Sequence, residues 1–102
     1  MARRHIGFDE TEVVVGFPAG RRYRVLNLSY EDIQRIQFDT IREWAFIRRA
    51  PSERITIITG KYGSPIVYTR RKHAPFWDEY KKKFRKFAEK NAITFVDNTA
   101  GA

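Results

Sequence analysis

The spacing of the apolar residues changes once along this chain, at Pro75, and this change limits the folds open to it. Before Pro75, short apolar runs rich in β-branched and aromatic residues alternate with turn residues, a pattern typical of antiparallel strands. After Pro75, apolar residues recur every three or four positions, the spacing of one face of an α-helix. The sequence therefore predicts a mainly β chain of the α+β class that ends in an amphipathic helix.

We predict about seven strands before Pro75, separated by residues that favour turns or interrupt ladders. They are placed at residues 6–8, 13–17, 23–28, 33–38, 43–49, 55–59 and 64–69. Pro18 and Pro51 are expected to end the second and the fifth strand. In the third strand, both faces are expected to be partly covered. The last two strands flank Gly60-Lys61-Tyr62-Gly63 and are predicted to form a hairpin.

The predicted helix begins at Pro75, since a proline suits the first helical position, and ends near Asn91. Asp78 and Glu79 lie in its first turn, where the helix dipole favours negative charge. Its apolar face is predicted to close the β scaffold and comprises Phe76, Trp77, Tyr80, Phe84, Phe87 and Ala88.

Other apolar residues extend this prediction on both sides of the helix. Trp44 and Phe46 are expected to pack in the core, like the aromatic residues of the helix. Ile93, Phe95 and Val96 suit a short last strand, after which residues 97–102 are expected to form a flexible tail.

The composition bounds the domain and its compartment. A chain of 102 residues, 42 % hydrophobic and 15 % aromatic, predicts one domain spanning residues 1–102 around one core. The absence of cysteine excludes disulfides, thiolate metal sites and cysteine nucleophiles. No apolar run is long enough for a signal peptide or a membrane span, so we expect a cytoplasmic protein.

The charge suggests an anionic partner. Residues 1–50 carry 9 basic and 7 acidic side chains, whereas residues 51–102 carry 11 and 5. Such an excess favours nucleic acid, lipid headgroups or an acidic protein surface, and it also serves solubility. A solvated helix face and an anion-binding surface therefore both remain open. The candidate binding residues are Arg21, Arg22, Arg70, Arg71, Lys72, Lys81, Lys82, Lys83, Arg85 and Lys86.

No constellation of residues predicts catalysis. The carboxylates cluster at residues 9–12 and at Glu31 and Asp32, where turn residues are expected. His5 and His73 lie far apart in sequence and are expected at the surface, without the spacing of metal ligands. The chain has no glycine-rich phosphate loop and no nucleophile elbow. We therefore expect no enzyme activity, no catalytic residue, no metal and no cofactor.

One segment resembles a known family. Leu28-Ser29-Tyr30-Glu31-Asp32-Ile33-Gln34-Arg35-Ile36 is similar to the turn and strand that recur in small bacterial pleckstrin-homology-like (PH-like) domains. The resemblance covers residues 5–91 and includes the order of the elements. It implies a bent antiparallel barrel of two sheets, with a helix closing one open end, and a binding or scaffolding module without a shared catalytic site.

The resemblance also guides the expected partner. Phosphoinositide-binding members carry basic residues between their first two strands, whereas this chain has Asp9, Glu10 and Glu12 there, so we expect no specific phosphoinositide site. We expect a protein partner or self-association, through a strand added to an exposed sheet edge. The alternative is electrostatic binding of nucleic acid or an anionic membrane through residues 70–90, with Arg21 and Arg22 as helpers.

Overall fold

The computed structural model describes residues 5–45, 47–60 and 65–99. They form a mainly β fold with one helix near the C-terminal end, which confirms the predicted class. The strands are β1 (Ile6–Phe8), β2 (Glu12–Ala19), β3 (Arg22–Ser29), β4 (Ile33–Ala45), β5 (Arg48–Thr59), β6 (Ile66–Thr69) and β7 (Thr94–Asp97). The helix, α1, is Trp77–Asn91, and two 3-10 turns span Tyr30–Asp32 and Arg70–Phe76.

The strands form two separate sheets. The first is the antiparallel meander β1-β2-β3, and the second has the order β6-β5-β4-β7. In the second sheet β7 runs parallel to β4, so the pairing is not antiparallel throughout. Within the described ranges no backbone ladder joins the two sheets. The predicted antiparallel barrel is therefore not closed.

The predicted fifth strand, residues 43–49, is wrong. β4 continues for 13 residues to Ala45, and β5 runs for 12 residues from Arg48. The two strands pair from Ile33↔Thr59 to Ala45↔Arg48, so a tight hairpin connection falls inside the predicted strand. This connection contains no glycine or proline, and the sequence therefore gives no turn signal there. In the part of the chain that the structure describes, six strands precede the helix instead of seven.

Pro18 and Pro51 lie inside β2 and β5 instead of ending them. Gly16 donates its backbone N–H to the carbonyl of His5, the residue before β1, so within the described residues β2 has no strand neighbour on that side two residues later. β6 pairs with β5 only at Arg54–Ile57, and β5 therefore has no strand beside Pro51 on that side either. A proline costs no ladder bond where the neighbouring strand has ended.

The predicted hairpin of the sixth and seventh runs is confirmed by the antiparallel pairing of β5 with β6. Pro65 immediately precedes β6. The predicted turn residues Lys61, Tyr62 and Gly63, together with Ser64, lie outside the described residues.

The helix begins two residues later than predicted, at Trp77, because Pro75 belongs to the second 3-10 turn. It ends at Asn91, as predicted, where Ala92 adopts a left-handed conformation with φ 55°. The predicted last strand is confirmed as β7. The flexible tail predicted for residues 97–102 does not begin at residue 97. Asp97 is the last residue of β7, and the Asn98 N–H donates to the Phe38 carbonyl at 2.8 Å.

The apolar face of α1 packs against both sheets. Trp77, Tyr80, Phe84, Phe87 and Ala88 are buried, which confirms the predicted stripe except at Phe76. Phe76 belongs to the second 3-10 turn and is partly buried against the core. The Phe84 ring lies 4.7 Å from that of Phe8 in the first sheet and 6.3 Å from that of Phe38 in the second, between ring centroids. The strands complete the same core with Val13, Val15, Leu28, Ile36, Phe38, Ile55 and Ile57.

Replacing Phe84 with alanine should therefore lower the free energy of unfolding by about 3–5 kcal/mol, the usual loss for a large buried aromatic residue. Glu89→Ala, on the exposed face of the same helix, is the matched control and should change it by less than about 0.5 kcal/mol. Urea denaturation at pH 7 measures both. Equal effects of the two variants would contradict this packing.

Candidate functional site

Several of the predicted binding cations are paired with acids of the chain itself. The Glu53 carboxylate on β5 lies 3.3 Å from Arg70 Nη1 and 3.2 Å from Lys81 Nζ. It also accepts a hydrogen bond from the Trp77 indole Nε1 at 3.1 Å. Arg70 and Lys81 therefore lie close together, but both contact a carboxylate of β5 in the same chain.

Asp97, at the end of β7, holds a second group of cations. Its carboxylate lies 3.5 Å from Lys81 Nζ and 3.2 Å from Arg85 Nη2. Within the helix, Glu79 pairs with Lys83 at 3.1 Å, as its spacing predicts. Since these acids already neutralise three cations of α1, the helix offers a partner less positive charge than its sequence indicates.

The other predicted cations lie in separate places. Lys82 and Lys86 are exposed on α1 and have no ion pair within the described part of the chain. Arg21 and Arg22 lie at the β2–β3 turn, on the first sheet. Arg71 is exposed on the second 3-10 turn. Lys72 lies in the same turn, and its side chain is outside the described part of the structure.

Glu43 of β4 is also engaged within the chain. Burial alone raises the pKa of this carboxyl, but hydrogen bonds from the Ser52 hydroxyl and the Arg71 backbone N–H outweigh it. Together with the charge of Arg71 they hold the pKa of Glu43 below its ordinary value. Its negative charge is thus directed toward the second 3-10 turn.

Replacing Glu53 with glutamine should lower the free energy of unfolding by about 1–2 kcal/mol, because two cations lose a charged partner in a half-buried position. Glu89→Gln removes one exposed carboxylate of α1 and should leave the free energy unchanged to within about 0.5 kcal/mol. Urea denaturation at low ionic strength measures the difference. If the two variants are equally stable, the Glu53 contacts do not hold α1 to β5.

His5 and His73 meet in the structure, although they are far apart in sequence. Their ring centroids are 5.0 Å apart with nearly perpendicular planes. His73 is buried, 7 % exposed, so its predicted surface position is wrong. The sequence carries no signal for this contact, because it depends on where the start of β1 meets the second 3-10 turn.

Three tyrosines surround this histidine pair. The Tyr80 hydroxyl accepts the His5 backbone N–H at 3.0 Å, and the Tyr23 hydroxyl lies 2.7 Å from His5 Nδ1. The Tyr68 hydroxyl donates to the Gly16 carbonyl at 2.8 Å. Burial raises the pKa of Tyr68 well above its ordinary value, with smaller contributions from the two other tyrosines, so it remains protonated. This cluster joins β1, β2, β6 and α1.

The outer edge of β3 is open. β3 pairs with β2 in an unbroken register of eight residue pairs, and no strand of the described residues lies on its other side. Val25 is 57 % and Tyr23 39 % exposed, whereas Leu28 is fully buried. The face with Leu26 and Leu28 meets the core, whereas on the other face Tyr23 contacts His5 and Val25 is exposed. The expectation that both faces of this strand are partly covered therefore does not hold at Val25.

The alternation of the ladder shows which backbone groups point outward. The Gly16 N–H points toward β1, so the neighbouring residues of β2, Val15 and Phe17, direct their backbone groups toward β3. The backbone groups of their partners, Leu26 and Arg24, point toward β2. Val25 and Asn27 therefore present their N–H and C=O groups to solvent. The next outward N–H, that of Ser29, is capped by Asp32 Oδ2 at 3.3 Å.

The end of the β4–β5 hairpin is also exposed. Trp44 is 59 % and Ile47 93 % exposed, so the expected core position of Trp44 is wrong. The Arg49 guanidinium lies 5.9 Å from the centroid of the Trp44 ring. Phe46, the other residue expected in the core, lies outside the described residues.

Comparisons with family models, with curated proteins and with solved structures found no match for this chain. None of the helices in the described ranges has the length and apolar character needed to cross a bilayer. In the same ranges, histidine, aspartate and glutamate side chains form no cluster of three or more that could hold a metal ion. The outer edge of β3 and the end of the β4–β5 hairpin are therefore characterised by their geometry alone.

Proposed function

We propose that this chain is a non-enzymatic interaction module of the PH-like type, which binds an extended segment of a partner protein along the outer edge of β3. The observation that carries the proposal is the open edge itself. Val25 and Asn27 direct their backbone groups away from β2, the only strand among residues 5–45, 47–60 and 65–99 that pairs with β3.

Such an edge is a template for another strand. Backbone hydrogen bonds to the edge supply affinity, and alternate side chains supply specificity. Proteins commonly protect exposed edges with prolines, bulges or short strands. β3 has no proline, and its register with β2 shows no shift over eight pairs. The exposed apolar side chain of Val25 adds area that a bound strand would cover.

The charge near the edge favours an acidic partner segment. Arg21, Arg22 and Arg24 are exposed at the start of β3, next to the open backbone groups. A carboxylate on a bound strand would gain from these arginines, whereas a second copy of this chain, with net charge +8, would be repelled. Self-association through the same edge is the less favoured variant.

The PH-like assignment rests on the order of the elements and on one local motif. A single C-terminal helix packs its apolar face against two sheets, as in the expected architecture. Within the motif, Ser29 and Asp32 cap the first 3-10 turn, and the Tyr30 N–H donates to the Thr11 carbonyl at 2.9 Å. β7 after the helix is an extension. Fold alone does not fix a function, so the binding proposal rests on the edge.

The electrostatic alternative, binding of nucleic acid or an anionic membrane through residues 70–90, has weaker support. Arg70, Lys81, Lys83 and Arg85 are ion-paired within the chain, and a polyanion would have to compete with those carboxylates. The absence of cysteine suits a reducing compartment, and we propose that the interaction takes place in the cytoplasm.

Val25→Pro should abolish partner binding without unfolding the protein. Proline removes the outward N–H of Val25, which makes no bond to β2, and blocks the approach of another strand. The probe is a displayed library of ten-residue peptides rich in acidic and β-branched residues, selected on the wild-type protein. We expect the selected peptides to bind Val25→Pro at least tenfold more weakly, as measured by fluorescence anisotropy.

Val25→Thr is the matched control, since it keeps the N–H and the β-branched shape, and its affinity should stay within about threefold. Circular dichroism checks that both variants fold. Failure to select any peptide, or peptides that bind Val25→Pro as tightly as wild type, would contradict the edge as the binding site. A chain that instead binds a 20-base-pair DNA duplex, with an affinity that falls with log salt by about 0.9 per phosphate contact, would support the alternative.

A further inference from the structure

The distal part of the β4–β5 hairpin extends beyond both neighbouring strands. β7 pairs with β4 only at Arg35–Phe38, and β6 pairs with β5 only at Arg54–Ile57. Residues 39–45 and 48–53 therefore pair only with each other, over roughly 20 Å of strand. Its end carries Ile47, the most exposed of the large apolar side chains in the described residues, and Trp44.

Cations surround these two apolar side chains. Trp44 and Arg49 are directly opposed in the ladder and share a face, with the guanidinium 5.9 Å from the ring centroid. Arg42 lies two residues before Trp44 on the same face, and Arg48 follows Ile47 directly. All three arginines are exposed. The end of the hairpin thus combines two exposed apolar side chains with three exposed arginines around them.

Three acids lie in this segment, and within the described residues none of them pairs with the three arginines. Asp39 lies 3.6 Å from Arg54, and Glu53 pairs with Arg70 and Lys81. Glu43 lies on the opposite face of β4 from Trp44. Its carboxylate accepts the Ser52 hydroxyl and interacts with Arg71 at the base of the hairpin. The three arginines therefore keep their charge for a partner.

The size and shape of the hairpin end indicate the kind of partner. A stable protein interface buries about 800 Å² on each side and involves 20 or more residues, which a narrow hairpin end does not offer. A bilayer surface needs no matching pocket, because each apolar side chain that enters the interface contributes separately. Tryptophan is favoured in the headgroup region of a bilayer, and anionic headgroups attract arginines that lie beside it.

We propose that the end of the β4–β5 hairpin is a membrane-binding site, at which Trp44 and Ile47 enter the headgroup region of a bilayer containing anionic lipid while Arg42, Arg48 and Arg49 contact the phosphate groups. This site is separate from the edge of β3 and does not depend on the function proposed for that edge. It is also separate from the cations of α1.

The test is co-sedimentation of the full chain with sucrose-loaded vesicles of phosphatidylcholine containing 30 % phosphatidylserine, at about 100 mM salt. We expect binding to these vesicles, and at least tenfold weaker binding to pure phosphatidylcholine. Trp44→Ala/Ile47→Ser should weaken binding at least tenfold, and so should Arg48→Gln/Arg49→Gln, because each arginine near an anionic surface contributes about fivefold. Brominated lipid should quench Trp44 but not the buried Trp77.

Two matched controls locate the effect. Val67→Ser removes an exposed apolar side chain from β6, and Lys82→Gln/Lys86→Gln removes the same charge from α1 as the double arginine variant does from the hairpin. Both should bind within about twofold of wild type. The proposal is overturned if the hairpin variants bind like wild type, if the lysine variant loses binding instead, or if no binding is seen at 50 mM salt. The proposal is also overturned if the wild-type protein does not bind vesicles but sediments as a dimer that Trp44→Ala/Ile47→Ser dissociates.

Discussion

The packing of the apolar face of α1 against both sheets is the interaction on which the rest of this structure depends. No backbone ladder joins the sheets within the described ranges, so side-chain contacts must hold them together. Phe84 contacts Phe8 of one sheet and Phe38 of the other, and Trp77 adds a second contact to Phe38. Because the helix joins the sheets through side chains, the ladder of the first sheet ends at β3 within the described residues.

The polar face of the same helix explains why net charge alone is a poor guide to this protein. Glu53 pairs with Lys81 and Arg70, and Asp97 pairs with Lys81 and Arg85. These contacts fasten α1 to β5 and β7, so part of the basic excess stabilises the fold. The positive charge with the clearest access to a partner lies instead on the first sheet, beside β3, and at the end of the β4–β5 hairpin.

Local periodicity in the sequence was enough to predict most of the strands, the helix and its buried face, since these follow from alternation and from the spacing of residues such as Tyr80 and Phe84. The hairpin connection after Ala45 was missed because it contains no glycine or proline. Trp44 was expected in the core because sequence shows hydrophobicity but not how far a hairpin extends beyond its neighbours. The contact of His5 with His73 depends on packing between distant segments, which no local pattern records.

The open edge of β3 is the central claim, and amide hydrogen exchange of the free protein at low concentration tests it most directly. Residues along β3 should alternate: the amides of Arg24 and Leu26, which point toward β2, should exchange slowly, while those of Val25 and Asn27 should exchange at nearly the rate of an unstructured chain. Slow exchange at Val25 and Asn27, comparable with that at Leu26, would show that this edge is already covered and would contradict the account.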